Sequence, residues 1–315
     1  MSVKRLQNRV AESRFSLPLT AILVLAVWIV AHAAGWMDII NPALLFVVAT
    51  TYLMVELNNT NALIRIYSRM VSCSFLMLCL MASPAFITIK SGITMMSICA
   101  TYLVCFQAYQ EKNAHGLVFY AFLCLGIGSI AFVQLLYLVP FLWVIMSTNL
   151  MAMSMKSWVA SILGILTPYW FSTTYYIYES QLDALVDHFT ELADFTGFLN
   201  VPSVTVNQAL TLAFVVALAL TGIIHFVRNS YNDKIRTRMV YYIFITINTV
   251  SMLLMAVFPQ HFDEWLAVII VNTSPLIAHY IALTRTWLTN ISFYLIATAA
   301  IAILILNLWT PSLPF

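Results

Sequence analysis

The sequence predicts an all-α fold, a polytopic transmembrane helix bundle of about 11 spans. Composition is the first reason: 62% of the residues are hydrophobic and 8% charged, with a mean hydropathy of +0.93, whereas soluble domains carry roughly 25% charged residues. The second is the length of the apolar runs, which are continuous where a transmembrane β-strand would alternate. The third is the separation of basic from acidic residues along the chain.

The predicted spans follow from the thickness of a bilayer. A hydrocarbon core about 30 Å thick takes roughly 20 apolar residues of helix. Runs of this kind recur along the chain, with one extended polar segment between them. The predicted spans are 16–34, 41–57, 70–89, 92–108, 116–132, 134–151, 157–177, 208–227, 239–258, 265–284 and 288–308.

The stretch 116–151 is uncharged and too long for one upright helix. Two spans there place every Lys and Arg except Lys90 on one side of the membrane. A single span would move the later basic residues, from Lys156 to Arg285, to the other side. Because basic residues concentrate on the cytoplasmic side, the sequence predicts two spans, a cytoplasmic N-terminus and one integral membrane domain over 1–315.

Ionisable residues near the middle of a membrane are costly and usually mark ion or proton pathways. No Asp, Glu, Lys or Arg lies near the middle of a predicted span. This argues against a carboxylate-driven antiporter. His279 is the one titratable side chain well inside a span.

The tenth predicted span, WLAVIIVNTSPLIAHYIALTR, is polar for an interior helix. Asn272 and His279 share one face two turns apart. Pro275 between them removes a helix hydrogen bond, and Asn248 in the ninth span is a plausible partner. This face either lines a cavity or forms a hydrogen-bonding seam with a neighbouring helix, and both interpretations stay open.

The extended polar segment, 178–207, is predicted on the outer side. Leu182, Leu185, Phe189 and Leu192 recur at helical spacing and predict an amphipathic helix on the membrane surface or across the bundle mouth. Its acidic face is either solvated or relieved by a cation or a basic partner. That face consists of Asp183, Asp187, Glu191 and Asp194.

A basic patch is predicted on the cytoplasmic side. Such residues anchor topology and meet anionic lipid headgroups, or they form a docking site for a lipid diphosphate or an acidic partner. Leu63, Ile64 and Ile66 suggest a short interfacial helix beside it. The patch comprises Arg65, Arg69, Arg228, Lys234, Arg236 and Arg238.

The five cysteines all lie in the third to fifth predicted spans without a CxxC spacing. Buried cysteines in such places usually pack as small apolar residues. We therefore expect no metal site and no cofactor. No nucleic-acid partner is expected either.

Three segments, ELNNTNALIRIYSRM, MKSWVASILGILTPYWF and KIRTRMVYYIF, together with the Pro-containing span after them, resemble an uncharacterised family of bacterial polytopic inner-membrane proteins. The resemblance implies a multi-pass protein of the bacterial inner membrane. It implies no activity and carries no functional residues.

Three function classes remain. A non-catalytic subunit or scaffold of a cell-envelope complex, with protein partners, is favoured by the short loops and the lack of a nucleotide motif. A transporter or lipid-handling protein would use a polar cavity at Asn248, Asn272 and His279. An enzyme acting on lipid-linked sugars ranks last, because the first outer loop is short and carries Asp38 alone.

Overall fold

The chain is a bundle of α-helices, as predicted, in a computed structural model that describes residues 5–33, 42–82, 88–193 and 204–309. These ranges contain short 3-10 turns and no strand. The helices are α1 (Leu6–Glu12), α2 (Ser16–Ala33), α3 (Pro42–Asn61), α4 (Met70–Met81), α5 (Ile89–Cys105), α6 (His115–Ala131), α7 (Val139–Thr148), α8 (Met155–Tyr178), α9 (Leu182–Thr190), α10 (Val206–Asn229), α11 (Ile235–Val257), α12 (Phe262–Leu283) and α13 (Trp287–Trp309).

Seven helices of the described chain, α2, α3, α5 and α10 to α13, are long and apolar enough to cross a membrane. Shorter apolar helices lie at Met70–Met81, His115–Ala131 and Val133–Thr148. The chain is therefore a multi-pass membrane protein. The count of about 11 spans and the orientation remain predictions.

The uncharged stretch 116–151 divides into two elements. α6 ends at Ala131, and Phe132 takes an extended conformation with φ −143°. A 3-10 turn, Val133–Leu138, leads into α7, which has a proline in its first turn. A proline there suits a new helix start because its missing N–H would have no partner inside the helix anyway.

α12 is the central helix of the bundle. Every residue from 265 to 279 is buried, and the helix packs against α4, α5, α10 and α11. α2 and α13 lie at the periphery, with most of their residues outside the core. The polar residues of α12 therefore face protein on all sides.

The Lys- and Arg-rich connections meet at one end of the bundle. We call this the basic end; it comprises residues 5–15, 62–69, 230–238 and 284–286. α1 is fixed there because the Gln7 amide donates to the carbonyl of Ile281 and to Thr284 Oγ1, both at 2.7 Å. Asn8 Nδ2 donates to the carbonyl of Thr284 at 2.9 Å.

The interfacial helix suggested at 63–66 is wrong. α3 continues to Asn61, Ala62 has a positive φ of 47° that ends the helix, and bends follow. Leu63 and Ile64 are buried in the core instead of lying on a membrane surface. Asn58 Nδ2 donates to the carbonyl of Ser68 at 3.0 Å and closes the loop.

Candidate functional site

A buried aspartate–histidine pair lies at the basic end. Asp233 belongs to the connection between α10 and α11, yet its side chain is only 2% exposed. His279, near the end of α12, is 1% exposed, and its Nε2 lies 3.0 Å from Asp233 Oδ2. An aspartate and a histidine are thus held together with almost no contact with solvent.

The second nitrogen of the same imidazole has its own partner. His279 Nδ1 lies 3.3 Å from Nδ1 of His225, a half-buried residue of α10. The ring is held edge-to-face by Tyr241 at 4.9 Å and Phe226 at 5.5 Å between centroids. We call Asp233, His279 and His225 the Asp–His–His chain.

The Asp–His–His chain reaches the protein surface at Arg65. Its guanidinium Nη1 lies 3.8 Å from Asp233 Oδ1, and the Arg65 side chain is 42% exposed. An ion pair this open to solvent contributes little to stability. The Arg65 guanidinium nevertheless places a positive charge at the point where Asp233 comes closest to water.

This arrangement can move a proton without moving a helix. In one state a doubly protonated His225 donates its Nδ1–H to Nδ1 of a neutral His279, and His279 Nε2–H donates to the Asp233 carboxylate. Passing both protons one step along leaves His225 neutral, His279 neutral in its other tautomer, and Asp233 protonated. Histidine suits this role because its two ring nitrogens exchange donor and acceptor roles.

Sequence reasoning found His279 and missed both of its partners. Asp233 sits between Asn232 and Lys234 in a polar connection, a pattern typical of solvated loops. Its burial comes from contact with a helix 46 residues further along. His225, three residues before Arg228 at the start of the cluster of basic residues, was the available signal.

The predicted Asn and Pro residues lie in contacts between helices. Tyr102 of α5 donates its hydroxyl to Asn272 Oδ1 at 2.8 Å. Asn248 Nδ2 of α11 donates to Thr273 Oγ1 at 3.1 Å. Tyr241 donates to the carbonyl of Pro275 at 3.4 Å. These contacts favour a seam over an open cavity for this part of the face.

Two buried polar atoms near this seam have no hydrogen-bond partner within the described chain, Asn248 Oδ1 and Trp265 Nε1. Unpaired polar atoms in a protein interior are uncommon and frequently mark positions where a buried water binds. One is an acceptor and the other a donor. Both belong to the pair formed by α11 and α12.

The predicted basic patch is divided between inward contacts and exposed charges. Arg236 Nη2 donates to Asn61 Oδ1 at 3.1 Å and to the carbonyl of Phe106 at 3.0 Å, which ties α11 to α3 and α5. Arg69 stacks over the Tyr67 ring at 5.6 Å. Arg228 and Lys234 are exposed, and Arg238 is half-buried.

The amphipathic helix predicted in 178–207 is present as α9, and its acidic face points away from the bundle. His188 Nε2 lies 3.1 Å from the carbonyl of Ser129, and the Phe189 ring packs at 4.9 Å on that of Tyr169. Three of the four acidic residues, Asp183, Asp187 and Glu191, are exposed. Asp194 and Asp38 lie outside the described residues.

Within the described residues, no group of three or more His, Cys, Asp and Glu side chains is placed to hold a metal ion. The five cysteines are free thiols, four of them buried. Comparison with family models, with curated proteins and with solved structures gives no match to this chain. The chemistry of the site is therefore argued from its own geometry.

Proposed function

We propose that this multi-pass protein transports protons across the membrane and that they pass along the Asp–His–His chain. The observation that carries the proposal is the burial of Asp233 and His279, at 2% and 1% exposure, in direct contact. Ionisable residues inside membrane bundles most often belong to ion or proton pathways. His225 extends the contact into a relay.

The energetics favour a functional role over a structural one. Removing a carboxylate such as that of Asp233 from water costs several kcal/mol before any attraction to its partners is regained. A helix seam needs only neutral groups such as those of Asn272 and Thr273, which already join α12 to its neighbours. The Asp–His–His chain goes beyond what packing requires.

The remaining path would follow α12 towards the other end of the bundle. This helix has 22 residues, about 33 Å at 1.5 Å per residue, which matches a bilayer core. Along it lie the Asn272 and Thr273 hydrogen bonds and the unpaired atoms Asn248 Oδ1 and Trp265 Nε1. Water bound at such atoms would continue a proton path.

The test is proton flux into liposomes that contain the purified protein and an internal pH-sensitive dye, driven by a potassium diffusion potential. Wild type should carry protons above the level of empty liposomes. His279→Gln keeps hydrogen-bonding capacity but cannot relay a proton, so its flux should fall about a hundredfold. His115→Gln is the matched control, because His115 pairs with Ser157 at 3.0 Å, outside the chain.

Asp233→Asn provides a second variant in case His279→Gln fails to fold. It is nearly isosteric and cannot accept a proton, so it should lose flux as His279→Gln does. Equal flux in wild type and in a well-folded His279→Gln or Asp233→Asn variant would remove the proposal. So would wild-type flux no greater than that of empty liposomes.

The second candidate is a non-catalytic subunit or scaffold of a cell-envelope complex in the bacterial inner membrane. The hydrogen bonds of Asn272 and Asn248 to neighbouring helices favour it, because they join α5, α11 and α12 into one packed unit. The resemblance to inner-membrane proteins supports the location. A stable partner that co-purifies in stoichiometric amount from native membranes, with no proton flux, would favour this candidate.

A further inference from the structure

An apolar cavity of about 250 Å³ lies at the periphery of the bundle. Its walls come from α2, α4, α10, α12 and α13, and Val10 of α1 closes it towards the basic end. Leu19 lines it and is 64% exposed, so the cavity opens to the outside of the bundle along α2. A cavity open sideways between membrane helices faces lipid.

The wall carries one buried hydroxyl without a partner. Ser74 of α4 is 7% exposed, lines the cavity, and its Oγ has no hydrogen bond within the described chain. Ser and Thr in helices usually bond the carbonyl four residues earlier, as Thr94 does with Lys90 at 2.8 Å and Ser274 with Ile270 at 2.5 Å. Ser74 is therefore a free donor facing an apolar space.

Three arginines adjoin lining residues of the same cavity in the sequence. The lining residues Val10 and Met70 each follow an arginine directly in sequence, Arg9 and Arg69, and Arg14 comes two residues before the lining residue Ser16. Arg9 and Arg14 are exposed and Arg69 is half-buried. The carboxylate of Glu12, which is near Arg9 and Arg14 in the sequence, lies 3.9 Å from Arg285.

The site combines an apolar groove, a free hydroxyl about one helical turn inside it, and arginines at its end. In that order, these features match the acyl chain, the ester and the phosphate of a phospholipid. We propose that the cavity binds one acyl chain of an anionic phospholipid. The Ser74 hydroxyl donates to the ester carbonyl of that chain, and the phosphate lies against Arg14 and Arg69. This site is independent of the proton path, because none of its residues belongs to the Asp–His–His chain.

Binding can be measured by native mass spectrometry on delipidated protein titrated with phosphatidylglycerol, and with phosphatidylcholine of the same acyl chains. Wild type should bind one phosphatidylglycerol more tightly than phosphatidylcholine. Ala297→Phe fills the cavity from α13 and displaces at least two methylene groups, which should weaken binding more than tenfold. Ala299→Phe is the matched control, because Ala299 does not line the cavity.

Two further variants separate the parts of the site. Ser74→Ala removes one hydrogen bond and should weaken binding about fivefold for both lipids. The double variant Arg14→Gln/Arg69→Gln should weaken phosphatidylglycerol binding more than phosphatidylcholine binding, because the choline of the latter already offsets the phosphate charge, and should thereby abolish the preference for phosphatidylglycerol. Thermal unfolding of each variant close to that of wild type establishes that the fold is retained.

Equal affinities of Ala297→Phe and Ala299→Phe would overturn the proposal, because the acyl chain would then lie elsewhere. Equal affinity of the wild type for the two lipids would show that the site does not recognise an anionic headgroup. Unchanged affinity in Ser74→Ala would remove the ester contact. Proton flux is measured separately, so loss of lipid binding with retained flux, or the reverse, distinguishes the two proposals.

Discussion

The hydrogen bond between Tyr102 and Asn272 joins two buried side chains 170 residues apart, at 2.8 Å. Each of the two side chains supplies the hydrogen-bond partner that the other needs in the protein interior. A phenol hydroxyl and an amide oxygen are both costly to bury alone, and the Asn272 amide nitrogen is already used by the carbonyl of Val268 at 2.8 Å. The pair therefore specifies how α5 lies against α12.

A double-mutant cycle measures that pair. Tyr102→Phe leaves Asn272 Oδ1 without its donor, and Asn272→Ala leaves the phenol without its acceptor. The coupling free energy should be about 0.6 kcal/mol and at most roughly 1.7 kcal/mol, the range found for hydrogen bonds between membrane helices. Reversible unfolding in mixed micelles supplies the four stabilities. Strict additivity of the two single changes would show that the bond does not stabilise the fold.

Some of the site could be predicted residue by residue, and some could not. Asn272 and His279 stand out because polar side chains are conspicuous in an apolar span, and their shared face follows from helix geometry. Asp233 and Ser74 look ordinary in sequence, one in a polar loop and the other in a run of small residues. Their importance comes from burial, which depends on helices distant in the chain.

At the scale of the element, α6 and α8 pack closely through glycine. A Cβ built on Gly164 would lie 2.5 Å from the carbonyl oxygen of Phe119 and 3.0 Å from the backbone nitrogen of Leu123. Backbone atoms cannot rotate aside as a side chain can. The two helices can approach this closely only because residue 164 has no side chain.

Gly164→Ala should therefore force the two helices apart and lower the free energy of unfolding by about 1–3 kcal/mol. The higher helix propensity of alanine should offset up to about 1 kcal/mol of this loss. Gly116→Ala is the control, since a Cβ on Gly116 meets nothing within 4 Å. Thermal unfolding in detergent is the measurement. A Gly164→Ala protein that melts at or above the Gly116→Ala temperature would mean that this close packing is not required.

Helix limits were predictable where apolar runs end at charged or polar residues, as for α12 and α13. They were less so for α4, which ends at Met81 instead of residue 89, and for α7, which covers Val139–Thr148 instead of 134–151. α6 and α8 lie within two residues of their predicted bounds, 116–132 and 157–177. The tight bend after Ala62 replaced the expected interfacial helix because Leu63 and Ile64 pack in the core. Hydrophobicity alone does not tell core from membrane surface.

At the scale of the whole molecule, the separation of charge predicts an orientation. A cysteine at Glu191, directly after α9, and one at Lys156, at the start of α8, lie at exposed positions that the predicted topology assigns to opposite sides. In intact cells a membrane-impermeant maleimide should label Glu191→Cys alone, and Lys156→Cys should react only after permeabilisation. The parent protein, whose cysteines all lie in apolar helices, is the background control. The reverse pattern would invert the topology.

The encased position of α12 also bears on how the protein is made. Its neighbours α4, α5, α10 and α11 all precede it in the chain, and only α13 follows. During synthesis from the N-terminus, the ring of helices that surrounds it has left the ribosome before α12 does. Insertion of α12 into lipid alone would be unfavourable, because it carries Asn272, Pro275 and His279. The helices synthesised before it provide protein contacts for these residues. The order of synthesis thus delivers α12 after the four helices against which it packs.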